Sequence, residues 1–221
     1  MNLDAERLPE GGPCSSPPSP LAAIRSWMSS PVATVREGAL ASEIEQVLSS
    51  RKVSAVPVVD AEGTLVGIVS STDLLNAPET PTPTAAQLMT APVVIARPDE
   101  DVGEAAWRMV AAHVHRLVVV DDDQHVVGVL STSDVLREVM CRPLDEPIRT
   151  IMRAPVHPAL RGDPGAERTS FETLCLDAGI SIQKAAAYAV ATDARRILAV
   201  EDGHVVGLLT WTDLIGALSR T

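Results

Sequence analysis

Two short marks recur three times along this chain, always in the same order, and that recurrence limits the possible folds more than any other feature. The first mark is a Met, two small or polar residues, then Pro-Val. It stands at Met28-Ser29-Ser30-Pro31-Val32, at Met89-Thr90-Ala91-Pro92-Val93 and at Met152-Arg153-Ala154-Pro155-Val156. The second runs from a Gly through apolar residues and Ser/Thr to an Asp: Gly67 to Asp73, Gly128 to Asp134 and Gly207 to Asp213. The first two copies are 61 residues apart at both marks. A fixed period of this size signals one supersecondary unit used repeatedly.

Each copy carries the same periodicities between its marks. Leu40, Ile44, Val47 and Leu48 fall on one side of a helix, as do Val102, Ala106, Met109 and Val110, and Ile182, Ala186, Ala189 and Val190. Short apolar runs follow at Val56-Pro57-Val58-Val59, Leu117-Val118-Val119-Val120 and Ile197-Leu198-Ala199-Val200, each closed by an acidic or Gly turn and answered by a second run. That pattern predicts a hairpin of buried strands. A last helix opens after each Ser/Thr, with Leu74-Leu75, Val135-Leu136 and Leu214-Ile215 expected to face inward. The unit is β-α-β-β-α, and the fold class is α+β (α/β) with three such repeats.

The copies divide the chain into repeat one (21–80), repeat two (81–142) and repeat three (143–221). Residues 1–20 are rich in Pro, Gly and Ser and predict a disordered tail. Repeat three is irregular. From the Pro of the first mark to the Gly of the second takes 36 residues in repeats one and two but 52 in repeat three. The surplus predicts an inserted surface loop around 159–172, between an early strand stub and Thr173-Leu174-Cys175-Leu176.

Composition removes several functions. A balance of 18 basic against 29 acidic side chains argues against nucleic acid, which demands a dense positive face. With 3 Trp, 1 Tyr and 1 Phe there is no base-stacking platform. Cys14, Cys141 and Cys175 are odd in number and show no CxxC spacing, which predicts neither a metal motif nor a disulfide framework. Without a signal peptide or an apolar run long enough to span a bilayer, the expected location is cytoplasmic, away from membranes. No P-loop, GxSxG, HExxH or GxGxxG signature is present, and nothing pairs a nucleophile with a base, so no enzymatic activity is expected.

A unit of about sixty residues, in tandem, with Gly-apolar-apolar-Ser/Thr-x-x-Asp entering its last helix, resembles the cystathionine β-synthase (CBS) domain. The resemblance runs from Ile24 to Leu218. It implies that repeats one and two form a pair with approximate two-fold symmetry, sheet against sheet. It further implies clefts that bind AMP, ADP, ATP or S-adenosylmethionine, with no resident cofactor beyond such a regulatory nucleotide and the magnesium that accompanies ATP.

The site residues have a structural reading and one implied by the resemblance. Ser70/Asp73, Ser131/Asp134 and Thr210/Asp213 match helix capping boxes. By resemblance they contact ribose and phosphate, a role compatible with capping because a helix N-terminus also holds anions. His115-Arg116 and Arg195-Arg196 open the first hairpin strand. They are either solvated or salt-bridged strand ends or, by resemblance, phosphate ligands, and only one of each adjacent pair can face a given cleft. Repeat one has Ser54-Ala55 there instead. Thr34 and Ile95 mark the edge whose backbone reads adenine in the family, with Val56-Pro57 and Leu117-Val118 flanking the base; ordinary core strand is the alternative. His113-x-His115 lacks a third metal ligand at any recognisable spacing, and Asp121-Asp122-Asp123 is a solvated turn.

Family units pair, and this chain has three. Repeat three therefore pairs either with its counterpart in a homodimer or with its own chain's pair, the inserted loop covering its face. The function this predicts is ligand sensing relayed to an effector protein or to the oligomer; the alternative is a scaffold whose clefts are vestigial.

Overall fold

The computed structural model describes residues 23–78, 82–142, 144–152 and 173–217. The predicted tail, the inserted loop and Arg153 to Val156 of the third mark lie outside the described residues. Within them each repeat builds the same three-stranded sheet. Repeat one has β1 (Val35–Arg36), α1 (Ala41–Arg51), β2 (Ala55–Val59), β3 (Leu65–Ser70) and α2 (Ser71–Leu75). Repeat two opens with a short α3 (Ala85–Leu88), then β4 (Ile95–Ala96), α4 (Val102–Ala112), β5 (Arg116–Val120), β6 (Val126–Ser131) and α5 (Thr132–Met140). Repeat three has β7 (Thr173–Asp177), α6 (Ile182–Thr192), β8 (Arg196–Glu201), β9 (His204–Thr210) and α7 (Trp211–Ile215). In every sheet the first strand runs parallel to the second, and the second antiparallel to the third.

The long helices end alike. Lys52, His113 and Asp193 stop α1, α4 and α6 in the left-handed conformation, at φ 53°, 53° and 51°. The N–H of each bonds back into the last turn, satisfying carbonyls that a helix end would otherwise strand. A turn of few residues then delivers the chain into a hairpin strand. Ile44, Leu48, Val56, Val58 and Val69 make the core of repeat one.

Two expected inward faces differ. Leu40 precedes α1 as its N-cap and is 37% exposed. In α2, Leu74 is partly buried, but Leu75 is 85% exposed, whereas its equivalents Leu136 and Ile215 are buried. Cys141 is disulfide-bonded, where the sequence predicted no disulfide framework.

The chain forms two compact units, and the division cuts through repeat two. Among the described residues, the first unit holds 23–100 and 114–131, so it contains repeat one with the three strands of repeat two. The second holds 101–113 and 132–217, so it contains α4 and α5 with repeat three. In the second unit α5 packs on α6 and α7, and α4 on α5 and α7. Small side chains line the helices here: Ala105 and Ala106 on α4, and Ala185, Ala186 and Ala189 on α6, all fully buried.

In the first unit the two repeats exchange the segments that lead into them. Ahead of β1, the Ile24 and Arg25 N–H groups donate to Glu100 and Pro98 carbonyls of repeat two, each at 2.9 Å. Ser29 bridges to Val129, and the Met28 side chain occupies the place where a side chain on Gly128 would stand. The reciprocal set lies 61 residues on: Ala85 and Ala86 N–H donate to Ala39 and Glu37 carbonyls of repeat one at 2.8 and 2.9 Å. Thr90 bridges to Ile68, and Met89 covers Gly67. Ala85, Leu88 and Met89 thereby complete the core of repeat one. Thr64 and His125, themselves 61 residues apart, bridge to each other and mark the pseudo-two-fold relation between the repeats.

Candidate functional site

The hydroxyl that opens each last helix is fixed by the hairpin before it. In the three sheets Ala55 stands opposite Ser70, Arg116 opposite Ser131 and Arg196 opposite Thr210. Directly opposed residues of a ladder project to the same face. Arg116 and Arg196, rather than His115 and Arg195, therefore share a face with the motif hydroxyls. His115 is exposed, just before β5. The Arg195 guanidinium instead lies 4.9 Å from the Trp211 ring centroid and 4.0 Å from Asp193. Trp211 is held in turn by its indole N–H, which donates to the Ala194 carbonyl at 2.7 Å. Arg195 is thus a cation–π partner at the strand end.

The capping reading of the Ser/Thr-x-x-Asp motif holds in repeats one and three. The Ser70 N–H and hydroxyl donate to Asp73 Oδ2 at 2.7 and 2.6 Å, and the Asp73 N–H reaches back to Ser70 Oγ at 3.4 Å. The Thr210 N–H and hydroxyl each donate to Asp213 Oδ2 at 2.8 Å. Both bonds in repeat one go to Oδ2 of the half-buried Asp73. In repeat two the motif falls across the two units, and each residue is described in its own. Ser131 is half-buried at the end of β6; Asp134 is buried and accepts from Arg137 Nη1 at 2.7 Å.

The remaining candidates lie on the sheets of the first unit. Thr34, just before β1, is exposed, and Ile95 is half-buried at the start of β4. Val56 is buried among the core of repeat one, and Leu117 is fully buried. Pro57 pairs with Ile68 on the opposite face of β2 from Val56. Arg116 donates through Nη2 to Ser54 Oγ, so the cation missing from repeat one's own strand is brought to it by repeat two.

Asp121, Asp123 and His125 place ligand atoms within 4.8 Å of one another. Asp121 Oδ1, however, already accepts from the Asp123 and His125 N–H groups at 3.1 and 2.9 Å, which is the bonding of a turn. Sequence reasoning used Met28, Met89 and the facing glycines only as marks. Their role in joining the repeats went unread, although the recurrence of one Met with one Gly per repeat was the available signal.

The CBS domain profile matches residues 24–80, 85–141 and 148–220. The chain therefore belongs to the CBS domain family, with three repeats. Among curated relatives it is 32% identical over 106 residues to a homoserine O-acetyltransferase of Methanohalobium evestigatum, covering 48% of this chain and 22% of that protein. It is 31% identical over 143 residues to the 5'-AMP-activated protein kinase subunit gamma-3 of Sus scrofa, covering 57% of this chain and 28% of that one. The chain thus spans about a quarter of the length of these relatives. A CBS domain pair solved with 5'-methylthioadenosine and S-adenosyl-L-methionine superposes with a TM-score of 0.51 at 30% identity, over 54% of this chain and 96% of that chain. A conserved protein of Pyrococcus horikoshii shares the fold over 89% of this chain and 100% of its own, with a TM-score of 0.65 at 17% identity. Among the described residues no helix is long and apolar enough to cross a membrane.

Proposed function

We propose that this chain is a regulatory, non-catalytic protein that binds an adenosyl nucleotide through repeats one and two and relays its occupancy to an effector protein. The observation that carries this reading is the placement of Arg116 beside Ser131 on one sheet face, with its guanidinium reaching Ser54 of repeat one. A planar cation next to a hydroxyl at a helix start suits a phosphate, because the guanidinium fork binds two oxygens together. Asp73 offers a carboxylate to ribose hydroxyls from the equivalent position in repeat one. Support also comes from the similar CBS pair, whose ligands are both adenosyl compounds.

Thermal denaturation with AMP, ADP, ATP, 5'-methylthioadenosine and S-adenosylmethionine tests the proposal. A ligand at a hundred times its dissociation constant adds about 2.7 kcal/mol of stability. A chain that shows no shift with any of the five supports the scaffold reading. That second reading draws on one observation: Asp73 Oδ2 and Asp134 Oδ1 are already engaged by the chain's own donors.

A further inference from the structure

Repeats one and two are related by a pseudo-two-fold, yet they do not bring the same side chains to equivalent positions. Where β5 opens with Arg116, β2 opens with Ala55, each directly opposite the motif hydroxyl of its own repeat. Two equivalent places thus share one cation.

That cation is turned to one side. Although Arg116 stands opposite Ser131, its guanidinium donates to Ser54 Oγ of repeat one. The Ser54 carbonyl in turn accepts from the Ser71 N–H at 3.0 Å and from the Ser71 hydroxyl at 3.3 Å. Ser71 lies between Ser70 and Asp73, the two ends of the capping box of repeat one. The cation of repeat two therefore stands at the motif of repeat one, next to the segment that carries Asp73. Ser54 and Ser71 are exposed and Arg116 is half-buried, which leaves the group accessible from solvent.

The two motif carboxylates differ as well. Asp73 is half-buried, and the donors to it are the neutral N–H and hydroxyl of Ser70. Asp134, in the other unit, is buried, and Arg137 Nη1 donates to its Oδ1 at 2.7 Å. The residue at Arg137's place in repeat one, three after the carboxylate, is the neutral Asn76. A ribose hydroxyl arriving at Asp134 would have to displace a guanidinium and break the pairing of a buried charge, which is costly. At Asp73 it meets no such competitor.

We propose that repeats one and two together hold a single nucleoside 5'-phosphate, its ribose on Asp73 and its phosphate on Arg116 and Ser54. Ala55 and Arg137 leave the equivalent position of repeat two without a nucleotide, the first by supplying no cation and the second by occupying the carboxylate. This single site rests on nucleotide binding by the pair, and adds to it the number, the position and the charge class of the ligand. One site per pair gives a hyperbolic response to nucleotide, since no second site is present to couple with it.

Titration calorimetry of the full chain with ADP counts the sites. Asp213→Asn is present throughout, so that the motif of repeat three is removed from the count. One ADP per chain is expected, its affinity falling about tenfold or more in Arg116→Ala and several-fold in Asp73→Asn. Ala55→Arg combined with Arg137→Ala supplies the missing cation and releases Asp134; it should raise the count to two while the first site keeps its affinity. Two sites without those changes, one site indifferent to Asp73→Asn, or a count that stays at one in the combined variant each overturns the single site while nucleotide binding stands. Saturable binding of 5'-methylthioadenosine with none of ADP overturns it too, because no phosphate is then recognised. Silence with both ligands removes nucleotide binding itself, and the single site with it.

Discussion

Arg116 stands directly across the β5–β6 ladder from Ser131 and donates to Ser54, the residue that precedes β2 in the neighbouring repeat. A single side chain thus connects the strand starts of both repeats on the face that bears the helix-opening hydroxyl. Arg196 stands opposite Thr210 in the same way in the third sheet.

Replacing Arg116 by Ala should weaken ADP and ATP binding about tenfold or more, since a charge-assisted hydrogen bond is worth roughly 1.5–3 kcal/mol. Binding of 5'-methylthioadenosine, which carries no phosphate, should change far less. Calorimetric titration of the variant with each ligand provides the comparison. Equal losses for both ligand types would remove Arg116 from phosphate recognition.

Arg195→Ala serves as the contrast. Its loss should leave nucleotide affinity unchanged and cost about 0.5–1 kcal/mol through the Trp211 contact, or a few degrees in the melting temperature of a chain this long. A tenfold loss of affinity with unaltered melting would reverse the assignment of Arg195 and Arg196.

Asp73→Asn keeps an acceptor for the Ser70 hydroxyl and N–H and removes the charge. Stability should fall by no more than about 1 kcal/mol, the usual worth of a cap, while affinity for any ribose-bearing ligand falls several-fold. Urea denaturation and titration read the two effects separately, and a change confined to stability would leave Asp73 with the capping role alone.

Gly67→Ala places a Cβ against the Sδ of Met89, so it should cost about 1–3 kcal/mol by overpacking. Met89→Ala opens that space, and the double variant should be less destabilised than the sum of the singles. Additive losses in urea denaturation would show that the Met–Gly seat does not couple the two repeats.

Burial pushes the Cys175 thiol above its ordinary range. Because the raised value disfavours the thiolate in the folded chain, any stabilisation from this group is complete below the thiol's unfolded pKa and is lost as pH rises through the folded one. Alkylation of Cys175 by iodoacetamide should therefore stay slow at pH 8 and accelerate only at more alkaline pH. A rate at pH 8 equal to that of the unfolded chain would contradict this.

Much of this fold was legible because it rests on local periodicity. The spacings of Ile44 with Leu48 and of Val102 with Ala106 and Met109 mark faces that are buried as the helix period requires. Features set by neighbours distant in sequence were not legible. Leu75 and Ile215 occupy the same motif position, yet one is solvent-facing and the other packed, because α7 meets α4, α5 and α6. Arg195 could not be told from Arg196 without the ladder register and the position of Trp211. The exchange of lead-in segments is likewise invisible in a linear pattern, since Met89 and Met152 carry the same mark and seat on different repeats' terms.

Titration calorimetry of the full chain with AMP, ADP, ATP, 5'-methylthioadenosine and S-adenosylmethionine tests nucleotide sensing most directly. Saturable binding of at least one of them is expected, at no more than two sites per pair of repeats one and two, weakened in the Asp73→Asn chain. Absence of binding heat and of thermal stabilisation with all five at millimolar concentration would contradict it.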